Sequence, residues 1–84
     1  MSDIVIYTSQ FCGYCSRAKM LLESKGVNYK EVAVDKEPGQ RQTMVQRAGG
    51  ATSVPQIFIN DEHIGGCDDL YALEAQHKLD TLLA

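Results

Sequence analysis

Short hydrophobic runs separated by polar and glycine-containing stretches predict alternating strands and helices. Residues 3–8 are apolar and rich in β-branched side chains, which favours a buried strand. Residues 16–25 place apolar side chains among charged ones, as in a helix packed on one side, and Gly26 supplies its C-terminal end. Residues 28–34 alternate in the manner of a second strand.

The second half of the chain predicts a helix, a hairpin and a final helical region. Pro38 near the start and Gly49 near the end bracket the helix. Asn60 and Asp61 are typical of a tight turn between two strands. The predicted elements lie at residues 37–50, 55–60, 61–66, 68–76 and 78–83. The order β-α-β-α-β-β-α follows, in a single domain that spans residues 1–84.

This order predicts an α/β fold with a mixed sheet. The first βαβ unit needs a right-handed crossover and therefore a parallel pair of strands, whereas the hairpin adds antiparallel strands. Helices must then cover both faces of the sheet. Cys12 follows the first strand, and binding sites in α/β proteins form at the carboxyl ends of such strands.

The composition is that of an ordinary globular domain, with 44% hydrophobic and 23% charged residues in a chain of 84. Eight basic and eleven acidic residues give a net charge of -3, which repels phosphate groups and excludes a generic nucleic-acid binder. No apolar run approaches the ~20 residues that span a bilayer, and no basic leader with a cleavage site precedes the first strand. We therefore expect a cytoplasmic protein without a nucleic-acid or membrane partner.

Three cysteines restrict the chemistry of the chain, and two of them form a CxxC motif in FCGYC, residues 11–15. An odd number of cysteines in a reducing compartment argues against a disulfide scaffold. Structural zinc usually takes four ligands from two pairs, whereas the other candidates here are Cys67 and two scattered histidines. Redox chemistry is the interpretation left for Cys12 and Cys15, and no metal ligand is predicted.

The position of the motif at the start of a predicted helix favours different roles for its two cysteines. A helix N-terminus carries partial positive charge and unpaired N–H groups that stabilise a thiolate, which is the nucleophilic form. Cys12 lies just ahead of the helix and is expected to attack. Cys15 lies one turn further in, nearer the packed face, and is expected to resolve the resulting disulfide.

A second motif, TSVPQIF at residues 52–58, places Val54 and Pro55 just before a predicted strand. For an arbitrary Val-Pro pair this is a loop that enters a sheet, since only about 5% of such bonds are cis. Beside a CxxC motif, a cis proline facing the cysteines would turn the backbone of Val54 outward. Its N–H and C=O would then pair with an extended, peptide-like ligand.

Three segments in order, IYTSQFCGYC, SVPQIFI and HIGGCDDLYAL, resemble the glutaredoxins, and among these the short bacterial dithiol type. The resemblance covers nearly the whole chain. It implies a thioredoxin fold with a four-stranded mixed sheet flanked by helices, and a cis bond between Val54 and Pro55. It also implies an enzyme that reduces protein disulfides and glutathione mixed disulfides, with glutathione as the reductant and glutathionylated or disulfide-containing proteins as partners.

The resemblance also implies roles for individual residues. Cys12 matches the nucleophile and Cys15 the resolving cysteine. The positions that match glutathione-binding residues are Tyr14, Arg41, Val54, Pro55, Gly66, Cys67 and Asp68. The chemistry agrees, because a glycine turn at a helix start favours a carboxylate and the Asp68 carboxylate can pair with an ammonium group. An alternative is that Asp68 and Asp69 only cap the helix, but Asp68 alone stands at the motif position.

Two departures from the family pattern leave alternatives open. Ser9 stands where many relatives have lysine, so the thiolate depends more on the helix end, while Arg17 and Lys19 are interpreted as solvated charges or partner contacts. Gly13 stands where the commonest dithiol motif has proline, and proline-free motifs also occur in dimers with a glutathione-ligated [2Fe–2S] cluster. A cluster carrier is therefore the alternative function, and a non-catalytic interaction module is another. We expect a monomer, and Cys67 has the alternative role of a packed core residue.

Overall fold

A four-stranded sheet forms the centre of the structure, a computed structural model that describes residues 2–84; Met1, the first residue of the predicted domain, lies outside the described residues. The strands are β1 (Ile4–Thr8), β2 (Lys30–Ala33), β3 (Gln56–Ile59) and β4 (Glu62–Gly65), in the spatial order β2-β1-β3-β4. β1 is parallel to β2 and antiparallel to β3, and β3 is antiparallel to β4. The predicted mixed sheet is confirmed.

The helices are α1 (Gly13–Ser24), α2 (Gln40–Arg47), α3 (Cys67–Ala75) and α4 (Leu79–Leu83). α1 begins at Gly13 rather than at residue 16, because Cys12 in an extended conformation serves as its N-cap. α2 begins at Gln40 rather than at residue 37, because Gly39, its N-cap, has a left-handed backbone conformation with φ of 79°.

The final helical region is divided into two helices at His77. This residue has φ of 59°, and the N–H of Lys78 donates to the carbonyl of Leu73 at 2.9 Å. A left-handed residue with such a backward hydrogen bond is the usual way in which a helix ends. The order of elements is therefore as predicted, except that the last helical region, predicted at residues 68–76 and 78–83 and counted as one helix, forms two helices.

Two apolar clusters cover the two faces of the sheet. The larger one joins α1, α3 and α4 to β1 and β3 through residues such as Leu22 and Leu70, both fully buried. The smaller one packs Met44 of α2 against Tyr7 and Phe58. Because β3 lies between two strands and is covered on both faces, all four of its residues are buried.

Strand directions bring four chain segments to one edge of the sheet. Tyr7 near the end of β1 pairs with Gln56 at the start of β3, and Gly65 at the end of β4 pairs with Ile57. The parallel partner β2 also ends at this edge, where Thr8 pairs with Ala33. The CxxC loop, the loop before β3 and the start of α3 are consequently neighbours.

The packing of α1 predicts that two of its residues contribute very differently to the free energy of unfolding. Leu22 is fully buried, whereas the side chain of Met20 is 65% exposed. We expect Leu22→Ala to lower the free energy of unfolding by about 3 kcal/mol, because it removes buried methyl groups and leaves a cavity. Met20→Ala should change it by less than about 0.5 kcal/mol. Urea denaturation of both variants measures the difference, and equal effects would contradict this packing.

Candidate functional site

Cys12 occupies the N-cap of α1 at the edge where these segments meet. Its Sγ accepts a hydrogen bond from the backbone N–H of Cys15 at 3.2 Å, and its own carbonyl accepts from the N–H of Ser16 at 3.1 Å. The thiol also donates to the carbonyl of Val54 across the edge, at 3.8 Å. Cys12 is partly exposed. The sulfur therefore has solvent on one side and a helix N–H on the other.

Cys15 lies one turn into the same helix, and its side chain is only 2% exposed. Burial, followed by the hydrogen bond with Cys12, raises the pKa of the Cys15 thiol to about 12, while a backbone hydrogen bond from Ser9 and the charge of Lys19 act in the opposite direction. Both thiols are free. The two cysteines thus differ in access, and burial opposes the ionisation of Cys15.

A groove of about 390 Å³ opens beside Tyr14, and we refer to it as the Tyr14 groove. Its lining includes six of the seven predicted binding residues: Tyr14, Val54, Pro55, Gly66, Cys67 and Asp68. The bond between Val54 and Pro55 is cis, as the resemblance implied. Val54 precedes β3, and within residues 2–84 its N–H pairs with no other backbone group. A peptide-like ligand can therefore reach this main chain.

The start of α3 separates the roles of two neighbouring aspartates. Asp69 Oδ2 accepts the N–H of Gly66 at 2.9 Å, and it fills the space that a side chain at Gly65 would need. Asp68 is exposed, and its carboxylate has no hydrogen bond or ion pair to the rest of the described chain. Asp69 therefore caps the helix, while the carboxylate of Asp68 remains available to a ligand. Since the N–H of Gly66 is occupied, the next N–H groups of the helix are the ones left for an anion.

Arg41 and Cys67 are less accessible to a ligand in the Tyr14 groove than the other predicted binding residues, for different reasons. Arg41 is exposed on the first turn of α2 and does not line the Tyr14 groove. Cys67 is 5% exposed and packs in the larger apolar cluster, and burial raises the pKa of its thiol. The alternative interpretation of Cys67 as a packed core residue agrees with this position.

A second depression, of about 510 Å³, lies on the other side of the cysteines between α1 and β2. We call it the Lys19 cleft; Cys15, Lys19 and Glu31 contribute to its lining. Glu31 Oε2 accepts from the hydroxyl of Thr8 at 2.6 Å and from Lys19 Nζ at 3.0 Å, and these hydrogen bonds lower the pKa of its carboxyl group. From the sequence, Lys19 is interpreted as a solvated charge or a partner contact, and Thr8 and Glu31 are not singled out. The spacing of four residues between Cys15 and Lys19 could have indicated that the two side chains lie on one face of the helix.

No three His, Cys, Asp or Glu side chains of residues 2–84 form a group suited to hold a metal ion. Within the same residues, none of the helices has the length and apolar character needed to cross a membrane.

Comparison with known proteins gives consistent matches. A family model described as glutaredoxin matches residues 4–64. Glutaredoxin 3 of Escherichia coli (strain K12) is 54% identical over 83 residues, which cover 99% of this chain and 99% of that protein. A glutaredoxin of Pseudomonas aeruginosa is 52% identical over 84 residues, with 100% and 99% coverage. The crystal structure of a buckwheat glutaredoxin–glutathione complex superposes with a TM-score of 0.88 at 34% identity, and covers 98% of this chain and 76% of that chain.

These matches confirm the resemblance that the three sequence segments indicated. The family model spans most of the chain, and the bacterial relatives span nearly all of it. The mixed sheet with its flanking helices is the thioredoxin fold of these relatives. The chain therefore belongs to the glutaredoxin family, and it is a glutathione-dependent thiol–disulfide oxidoreductase.

Proposed function

We propose that Cys12 is the nucleophile of this oxidoreductase and that Cys15 is its resolving thiol. The observation that carries the proposal is the hydrogen bond from the Cys15 N–H to Cys12 Sγ at 3.2 Å, at the positive end of α1. This donor and the helix end stabilise negative charge on the partly exposed sulfur. The buried thiol of Cys15 stays protonated until Cys12 has reacted.

Glutathione mixed disulfides are reduced by Cys12 alone. The Cys12 thiolate attacks the glutathione sulfur, so that a bond between Cys12 and glutathione forms and the substrate sulfur leaves as a thiolate, which takes up a proton from water. The thiolate of a second glutathione then attacks the bound glutathione sulfur. This step regenerates the Cys12 thiolate and releases glutathione disulfide, which contains the glutathione of the substrate and the attacking one. In the net reaction one free glutathione is oxidised and one substrate sulfur is reduced to a thiol.

Internal protein disulfides require both cysteines. Cys12 attacks one sulfur of the substrate and forms a mixed disulfide, and the thiolate of Cys15 then attacks Sγ of Cys12. The substrate leaves with both of its sulfurs reduced, and an intramolecular disulfide between Cys12 and Cys15 remains. Two glutathione molecules reduce that bond and are themselves oxidised.

The Tyr14 groove holds glutathione in this proposal. The main chain of Val54 pairs with the central cysteine of the tripeptide, the Asp68 carboxylate binds the ammonium group of the γ-glutamyl end, and the first free N–H groups of α3 bind its carboxylate. The lining of the groove and the unpaired carboxylate of Asp68 support this assignment. The buckwheat relative, whose structure is a complex with glutathione, also supports it. Arg41 stays a predicted contact for the glycine carboxylate.

The alternative function, a glutathione-ligated [2Fe–2S] cluster carrier, receives no support from the side chains of one chain. Cys15 and Cys67 are both buried, and the described residues contain no group of three potential ligands. The alternative cluster would take its other ligands from glutathione and a second chain, and no step of the function is derived from it.

We also propose that residues 1–84 act as one domain and as a monomer, in the cytoplasm. Two apolar clusters on the faces of a single sheet support the single domain. Glutathione and glutathionylated or disulfide-containing proteins are its partners.

Alkylation should discriminate between the three thiols. At neutral pH we expect iodoacetamide to modify Cys12 in the folded protein and to spare Cys15 and Cys67, because burial raises the pKa of both latter thiols. Mass spectrometry of the digested protein measures the modification of each cysteine, with a urea-unfolded sample as the control in which all three react. Modification of Cys15 as fast as Cys12 in the folded protein would contradict the assigned roles.

Substitution of each active-site cysteine should separate the two reactions. Cys12→Ser should lose both activities by at least about 100-fold, as expected for the loss of a nucleophile. Cys15→Ser should still reduce the mixed disulfide of glutathione and β-mercaptoethanol, measured with glutathione reductase and NADPH, but it should fail to reduce an internal protein disulfide. If Cys15→Ser loses both reactions, the division of roles is wrong.

The role of Asp68 can be tested against a matched charge change. Asp68→Asn should raise the KM for glutathione about three- to tenfold, because one charge-assisted hydrogen bond is lost. Asp80→Asn removes the same charge from the first turn of α4, away from the groove, and should leave KM unchanged. Steady-state kinetics with varied glutathione give both values, and an unaltered KM in Asp68→Asn removes this residue from the binding site.

A further inference from the structure

The Lys19 cleft lies beside Cys15, the thiol that must ionise in a buried position during the dithiol reaction. If Cys15 is the resolving residue, as proposed above, it must become a thiolate while its side chain is 2% exposed. Burial opposes that ionisation. The cleft reaches Cys15 from the side of β2, whereas the Tyr14 groove lies on the other side of the cysteines.

Lys19 is placed on the same face of α1 as Cys15. The two residues are four positions apart, so their side chains are neighbours along the helix surface. Both line the cleft. The ammonium group of Lys19, one helical turn beyond Cys15, therefore lies at the same cleft as the Cys15 thiol.

The ammonium group is held in that place from the sheet. Lys19 Nζ lies 3.0 Å from Glu31 Oε2 of β2, and the same oxygen accepts from the hydroxyl of Thr8 at 2.6 Å. Thr8 is buried at the end of β1, so its hydroxyl needs this partner. The side chain of Lys19 is 29% exposed, which is low for a lysine on a helix surface. Thr8 and Glu31 thus hold Lys19 across the gap between sheet and helix.

We propose that Lys19, held by Glu31 and Thr8, is a positioning residue that stabilises the thiolate of Cys15 during the resolving step. The charge of Lys19 lowers the pKa of Cys15, in opposition to burial and to Cys12. The titratable and charged groups that line the cleft with Cys15 are Cys12, Lys19, Glu31, Asp35 and Lys36. On α3, Cys67 interacts with Cys12.

The step itself balances within the established chemistry. The proton of Cys15 passes to water in the open cleft, and the thiolate attacks Sγ of Cys12 in the mixed disulfide. The bond between Cys12 and Cys15 forms as the bond to the substrate sulfur breaks, and the substrate thiolate takes up a proton. Lys19 gains and loses nothing; it only lowers the free energy of the charged form of Cys15.

A two-phase reaction with one equivalent of 5,5′-dithiobis(2-nitrobenzoate) isolates this step. Attack by Cys12 releases the first thionitrobenzoate, and attack by Cys15 on the Cys12 adduct releases the second, which stopped-flow absorbance follows. Lys19→Met, Lys19→Arg and Lys36→Met are compared with the unaltered chain between pH 6 and 10. Lys36 lines the same cleft and provides an equal change of charge, and Tm of each variant verifies the fold.

In Lys19→Met we expect the ratio of the second to the first rate constant to fall about two- to fivefold at neutral pH, the effect of removing one partly exposed charge. The pH profile of the second phase should move to higher pH, because the Cys15 thiolate loses a stabilising charge. Lys19→Arg should restore both the ratio and the profile, and Lys36→Met should retain them. An unchanged profile in Lys19→Met, or an equal shift in Lys36→Met, overturns the proposal. The Cys15→Ser protein should lack the second phase; its persistence would instead overturn the resolving role of Cys15.

Discussion

A sulfur atom caps the first helix, and the redox site depends on that one hydrogen bond. Every helix leaves N–H groups without partners at its start, and here the N–H of Cys15 is satisfied by Sγ of Cys12. A serine would serve as a cap equally well, but only a sulfur can exchange disulfides. The same contact therefore begins α1, directs the helix end at the sulfur that we propose as the nucleophile, and keeps the second cysteine one turn behind it.

The pairing of the strands brings the other residues of the candidate site next to Cys12. The chain passes the same edge of the sheet after β1, before β3 and after β4, since β3 is antiparallel to both of its neighbours. Cys12, Val54 and Asp68 are far apart in sequence, yet each lies at one of these passages. The apolar clusters on both faces hold the strands in this order. The site is consequently built from loops on a rigid support.

Sequence reasoning reached the order of elements, the mixed sheet and the Tyr14 groove because these depend on local pattern and on motifs. It placed the start of α1 too late, since the cap is a cysteine and not a usual capping residue. It left His77 out of the last helical region but counted that region as one helix, because histidine does not indicate a left-handed conformation that ends a helix. The contact of Lys19 with Glu31 was also out of reach, since it depends on how the helix lies over the parallel strand pair.

The hydrogen bond from the Cys12 thiol to the carbonyl of Val54, at 3.8 Å, makes the pairing of that carbonyl depend on whether Cys12 carries its proton. A thiol has a proton to donate to that oxygen, and a thiolate has none. When Cys12 ionises, the carbonyl loses its internal donor and is left for an N–H that comes from outside. A ligand N–H that pairs with Val54 therefore competes with the Cys12 thiol for the same oxygen. The carbonyl that accepts from the Cys12 thiol is thus released by the same ionisation that would make the proposed nucleophile reactive.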